Sequence, residues 1–267
     1  ASDVYKRQLL FSDALYEVTS IIDGKLIDFD NHMKRLDRSM TELDYPKLLD
    51  HKEIRDFHKA LIEKNNLDEG IIYLQVSRGV AERDFNFPDK MTELTVTAFT
   101  QKKDLVNNKA AEHGISVMTM DDLRWHRCDI KTVQLLYPSF AKAKAVKEGF
   151  DDTWMIRNGY VTEGTSNNAW IIKGSVIFTR PADNLILKGI TRETVAECAE
   201  DLGYKINFKS FTVTDAQNAD EAFITSATTF VTPVIKINDN KISKGEPGKF
   251  TKALRERYIQ KAREIAI

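Results

Sequence analysis

Apolar positions in the first hundred residues alternate with two different periods. Leu15 to Ile22 is rich in β-formers and runs into Asp23-Gly24, a pair suited to a tight hairpin, so Lys25 to Phe29 is read as the returning strand. Asp30 and Asn31 are expected to cap the helix that follows, in which His32, Arg35, Leu36, Ser39, Met40 and Leu43 recur at helical spacing. A second helix is expected over His51 to Lys64, then strands over Ile71 to Ser77 and Leu94 to Thr100. Gln101 to Gly114 is polar with few apolar anchors and reads as a linker. Beyond it the pattern predicts a strand at Ile115 to Met118 and a helix at Ser139 to Glu148. Two hairpins follow, turning at Asn158-Gly159 and Lys173-Gly174. A helix over Thr191 to Leu202 stops at Gly203, strands lie at Glu221 to Thr225 and Val234 to Ile237, and a closing helix covers Lys249 to Ala262. Strands and helices mix without a βαβ rhythm, so the expected class is α+β. The expected domains are a small one over residues 1–105 and a larger one over 106–267.

Composition narrows the function classes. The 267 residues are 42% apolar and 30% charged with a net charge of −1, an ordinary globular balance that gives no basic surface for nucleic acid. Cys128 and Cys198 have no CxxC spacing, which points to a reduced, cytoplasmic setting rather than a disulfide framework. No apolar run is long enough to span a membrane, and Ala1 to Gln8 has no signal-peptide core. His32 and His126 lack partners at metal-ligand spacing, so no metal is expected. There is no phosphate loop of the GxxxxGK[ST] kind and no GxGxxG.

Three segments could carry chemistry. Lys131, in Arg127-Cys128-Asp129-Ile130-Lys131-Thr132, has apolar neighbours. A partly desolvated lysine has a lowered pKa and attacks carbonyls to form a Schiff base, although most lysines are solvated surface charges. Thr162-Glu163-Gly164 ends a strand and enters a small, hydroxyl-rich loop, which alone reads equally as a turn. In Leu187-Lys188-Gly189-Ile190-Thr191-Arg192 a glycine precedes a helix start, where free N–H groups favour a phosphate. Thr191 acting as an ordinary N-cap is the plainer account of that segment. Thr225-Ser226-Ala227-Thr228 adds hydroxyls and backbone donors after a strand.

Taken in order with Leu15-Tyr16-Glu17-Val18 and His32-Met33-Lys34-Arg35-Leu36, these segments resemble the fold-type-IV (class IV) aminotransferases, which use pyridoxal 5′-phosphate (PLP), and the D-amino-acid branch in particular. The resemblance runs from about Arg7 to the C-terminus. It implies a two-domain fold with the cofactor between the domains and transfer of an amino group between a D-amino acid, or a primary amine, and a 2-keto acid. Lys131 would form the Schiff base and shuttle the proton. Glu163 would face the pyridine nitrogen and keep it protonated. Arg35, the backbone of Ile190 and Thr191, the Thr191 hydroxyl, Ser226 and Ala227 would hold the phosphate. Leu187 would pack on the ring, and Arg124 would lie near the cofactor's phenolic oxygen.

On the substrate side the resemblance implies Tyr16 and Arg83, the latter on a loop donated by a partner subunit and so requiring a homodimer. Two departures stand out. The loop usually reads Arg-x-His, and here Phe85 holds the third position. The chain also starts at a point where relatives usually carry some twenty more residues of the first small-domain strands. Same-fold alternatives are an aminodeoxychorismate lyase and a branched-chain amino-acid aminotransferase. A non-catalytic binding protein is a more distant one.

Overall fold

The computed structural model describes residues 6–89 and 92–267; the reading of Ala1 to Gln8 therefore lies partly outside the described residues. The chain divides into two compact units. The first comprises residues 1–103 together with 130–135 and 265–267, and the second residues 104–129 and 136–264. The chain thus passes between units more than once, and the segment carrying Lys131 groups with the N-terminal part. Backbone hydrogen bonds account for that grouping. Tyr16 N donates to Lys131 O at 3.0 Å and Val133 N to Ala14 O at 3.0 Å, so residues 131–133 run along the free edge of the first long strand.

The first unit holds helix α1 (Arg7–Phe11), strands β1 (Ala14–Ile22) and β2 (Lys25–Leu26), helices α2 (Phe29–Glu42) and α3 (His51–Asn65), and strands β3 (Gly70–Ser77) and β4 (Thr95–Lys102). The sheet order is β2-β1-β3-β4. Asp23 and Gly24 both take positive φ (53° and 69°), the combination a two-residue hairpin turn of this hand requires. The returning strand is only two residues long, because Asp28 turns left-handed and starts the next helix at Phe29; on its other edge Leu26 pairs with Ile267. Strand alternation sends Leu15, Ile21, Ile72, Leu74 and Val76 into a core with Phe29, Met33, Leu36 and Met40 of α2. Helix α2 starts one residue before the expected caps: Asp28 is its N-cap, in a left-handed conformation and without a side-chain cap, and Phe29 is already buried. Half of the expected linker lies in regular elements. Gln101 and Lys102 finish β4, and Asn108 caps the short helix α4 (Lys109–His113) by accepting from Ala110 N.

The second unit continues with β5 (Ile115–Asp121), α5 (Leu136–Lys147), β6 (Asp152–Arg157), β7 (Tyr160–Gly164), β8 (Asn168–Lys173), β9 (Val176–Thr179), α6 (Ile190–Asp201), β10 (Lys205–Phe208), α7 (Val213–Gln217), β11 (Glu221–Ser226), β12 (Phe230–Ile237), β13 (Asn240–Lys241) and α8 (Lys249–Ile265). Its sheet runs β10-β9-β8-β11-β12-β5-β6-β7, with β13 beside β12. Parallel pairs (β5 with β6 and with β12, β9 with β10) sit among antiparallel ones. Sequence periodicity did not show α1, α4, α7, β10 or β13, which have two to five residues each. That is too short for either period to repeat.

One packed histidine gives the first unit a pH response. His58 of α3 is fully buried against Phe29, with Nδ1 bonded to Ile54 O at 2.8 Å. Burial, aided by the charge of His32, pushes its pKa down to about 4 despite the carbonyl partner. The folded chain therefore refuses a proton that the unfolded chain accepts below about 6.5. The contribution to stability is complete above 6.5 and is lost as pH falls toward 4. By pH 5 the loss is about 2 kcal/mol. Urea unfolding of the apoprotein at pH 7 and pH 5 should show wild type losing that much more than His58→Leu; equal losses would refute the assignment.

Candidate functional site

In the first unit the candidate residues gather along β1. Lys131 Nζ lies 4.1 Å from the centroid of the Tyr16 ring, so the two residues the resemblance singled out meet on one face of the sheet edge. Glu17 points to the opposite face, where apolar residues would be expected, and is fully buried. Arg35 Nε and Nη2 donate to its two oxygens at 2.8 and 2.6 Å, and His32 Nδ1 sits 2.7 Å from Oε2. Burial alone would raise the Glu17 pKa, but Arg35 and His32 together bring it down to about 2. Arg35 is thus oriented by a buried carboxylate. The signal that could have revealed Glu17 was a charge at an inward position of an otherwise apolar strand face.

Arg83 and Phe85 lie on an exposed loop. The Arg83 guanidinium sits 5.4 Å from the ring centroid of Phe11 and 5.7 Å from that of Phe85, and the Phe85 ring is 81% exposed.

In the second unit β7 delivers Glu163 to a closed polar cluster. Its carboxylate is buried and accepts from Arg124 Nη1 at 2.6 Å, from Asn168 Nδ2 at 3.1 Å and from the Leu187 backbone N–H at 3.1 Å. Burial pushes its pKa up against the pull of Arg124 and the Leu187 N–H. The same burial works against the charge on Arg124, but Glu163 and Asp122 more than offset it, so the guanidinium stays charged. Asp122 takes Arg124 Nε and Nη2 at 2.9 and 2.7 Å and also binds Arg157 and the Thr162 hydroxyl. The structure thus places Arg124 on the acid meant for the pyridine nitrogen. Sequence reasoning missed Asp122 and Asn168. Asn168 also donates to Leu187 O at 2.8 Å and so ties the Glu163 strand to the turn before α6.

That turn is built for an anion. Gly189, not Thr191, is the N-cap of α6, and it offers no side chain to the first N–H groups. Ile190 and Thr191 open the helix and are buried, so their N–H groups and the helix dipole suit a phosphate. A Cβ on Gly189 would run into Asn168 Oδ1, so a larger residue would have to displace the Asn168 side chain that bonds Glu163 and Leu187. Ser226, at the end of β11, has its hydroxyl 3.2 and 2.8 Å from those of Thr228 and Thr229, and Ala227 follows. Within the second unit, then, a buried carboxylate is tied through Asn168 to an uncapped helix start, a pairing that suits a cationic ring nitrogen and a phosphate.

This chain belongs to the amino-transferase class IV family, whose model matches residues 14–237. Within the class it is similar to the D-alanine aminotransferase of Bacillus licheniformis, at 40% identity over 94% of this chain and 88% of that protein. It is similar also to the D-alanine aminotransferase of Staphylococcus aureus strain MSSA476, at 37% over 95% and 91%. In fold it matches the branched-chain amino acid aminotransferase from Escherichia coli with a TM-score of 0.88, at 21% identity over 98% of this chain and 89% of that one. Class IV aminotransferases are PLP-dependent enzymes, and this chain is one.

Proposed function

We propose that this enzyme moves the amino group of a D-amino acid to a 2-keto acid such as pyruvate or 2-oxoglutarate. The observation that carries the reading is similarity at 37–40% identity, along nearly the whole chain, to D-alanine aminotransferases. When bound, PLP supplies an electron sink for the substrate Cα. Lys131 Nζ would hold the cofactor covalently and, as a free amine, would carry a proton to and from the substrate Cα. Glu163 would keep the ring nitrogen protonated, with Arg124 and the Leu187 N–H fixing the carboxylate. The N–H groups of Ile190 and Thr191 and the Ser226–Ala227 segment would hold the phosphate, and Arg35 would be a further phosphate ligand. Leu187 would pack on the ring. Tyr16 and Arg83 take the substrate side.

The reading includes a homodimer in the cytoplasm. Phe85, beside Arg83, and nearby in sequence Val80 and Phe87 are exposed apolar side chains suited to contact with a second copy. No helix among the described residues is long and apolar enough to cross a membrane. The test is a donor panel of both enantiomers and simple amines, scored by loss of the cofactor's visible band as the amine is transferred. Turnover of D-alanine or D-glutamate well above the L-forms is expected; preference for L-amino acids, or for none, would overturn the substrate assignment.

Arg35→Ala should weaken cofactor retention about ten- to hundredfold, the effect of one charge-assisted hydrogen bond, and should also lower apoprotein stability, because it leaves the buried Glu17 carboxylate with His32 alone. The double variant Glu17→Gln/Arg35→Ala should recover stability but not retention. Dialysis against cofactor-free buffer and thermal melts separate the two effects. Full retention in Arg35→Ala would refute the phosphate role.

A further inference from the structure

The sheet face that carries Tyr16 is furnished beyond the residues already assigned. Alternation places Tyr16 and Val18 of β1, Tyr73 and Gln75 of β3, and Thr97 and Phe99 of β4 on this one face, opposite the helix-packed core. Three rings form a ladder across the strands: Tyr16 stacks on Tyr73 at 5.4 Å between centroids, and Tyr73 on Phe99 at 5.0 Å. Gln75 is the register partner of Tyr16. The Tyr73 phenol donates to Gln75 Oε1 at 2.8 Å, which turns the amide so that its Nε2 hydrogens face away from Tyr73. Among the described residues Nε2 has no hydrogen-bond partner, and neither has the Tyr16 hydroxyl. Among the described residues, those that β1, β3 and β4 place on this face include no carboxylate, and Lys131 Nζ lies over the first ring of the ladder.

Distance orders these groups along a substrate. Residues 131–133 flank β1 on one edge and β3 flanks it on the other, so Gln75 is two strand spacings, roughly 10 Å, from the Lys131 backbone. A substrate amine must reach Lys131 Nζ. The strand between belongs to Tyr16, which faces the atoms next to the amine. Gln75, one strand further, faces atoms several bonds out. The methyl of alanine ends one bond from Cα and does not extend that far. A side chain of two methylenes and a carboxylate does, and it lays its methylenes along the Tyr73 ring.

We infer that Gln75, pinned by Tyr73, is a specificity residue that recognises the side-chain carboxylate of an acidic α-amino acid or its 2-keto acid, such as D-glutamate or 2-oxoglutarate. The inference rests on the transaminase reading above. A neutral amide suits this task, because it donates to a carboxylate without the desolvation that a buried cation would require.

The experiment measures kcat/KM of the holoenzyme for D-glutamate and for D-alanine in wild type, Gln75→Leu, Gln75→Asn and Tyr73→Phe. The ratio of D-glutamate to D-alanine should fall about tenfold or more in Gln75→Leu, mostly through KM for D-glutamate. Smaller falls in the same direction are expected in Gln75→Asn, whose amide is one carbon shorter, and in Tyr73→Phe, whose glutamine is unpinned. The last two keep the test alive if the leucine variant does not fold. A ratio unmoved within twofold in the folded variants overturns the proposal. So does an equal loss for both substrates, which would put Gln75 on the α-carboxylate. A wild-type enzyme that turns over no D-amino acid sinks the transaminase reading and this inference with it, whereas an active wild type with an unmoved ratio sinks only the inference.

Discussion

Lys131→Ala is expected to lose turnover by at least about a thousandfold, within the range that a positioned general acid–base group contributes. It should also lose the covalent link that borohydride fixes in wild type. The residue rests on the Tyr16 ring, and its backbone is held by the β1 edge through Tyr16 N and Val133 N. Removing the side chain leaves those backbone bonds in place, so the variant should fold. Its cofactor should wash out, and peptide mass mapping after reduction should find no label on residues 130–135. No other lysine among the described residues rests on this ring. Added methylamine should restore some turnover by standing in for the missing amine. An alanine variant that transaminates at the wild-type rate would refute the central assignment.

Glu163→Gln should keep the cofactor but slow the amine-transfer half-reaction by about a hundred- to a thousandfold, the range found when one preorganised electrostatic group is removed. The physical reason is local. Glu163 is buried and accepts from three donors, Arg124, Asn168 and the Leu187 N–H. Glutamine has one acceptor oxygen, so its NH2 group must face at least one of those donors. The ring nitrogen loses the negative charge that holds its proton, and Arg124 keeps only Asp122 as an anionic partner. Stopped-flow absorbance with D-alanine separates binding from the chemical step. A half-reaction within twofold of wild type would remove Glu163 from its assigned role. The phosphate contacts proposed for Ile190 and Thr191 do not depend on the Glu163 carboxylate, so cofactor affinity should stay within about tenfold, a difference of about 1.4 kcal/mol.

The elements that could be read from the chain are those whose physics is local. The alternation in β1, the Asp23-Gly24 turn, the 3.6-residue repeat of α2 and the glycine at the end of α6 follow from side-chain direction and allowed φ. The segments bearing Lys131, Glu163 and Gly189-Ile190-Thr191 were also legible, because their residue types and order match a known family.

The pairings were not legible, and they are what the tertiary structure decided. Glu17 meets Arg35 eighteen residues away, Arg124 meets Glu163 thirty-nine residues away, and Glu221 accepts from the Phe250 and Thr251 N–H groups to cap α8 from thirty residues upstream. A buried charge must find its counter-charge or donors wherever packing brings them, and sequence separation does not constrain that choice. For the same reason residues 130–135 join the N-terminal unit: the open edge of β1 needed hydrogen-bond partners, and a segment more than a hundred residues later supplied them.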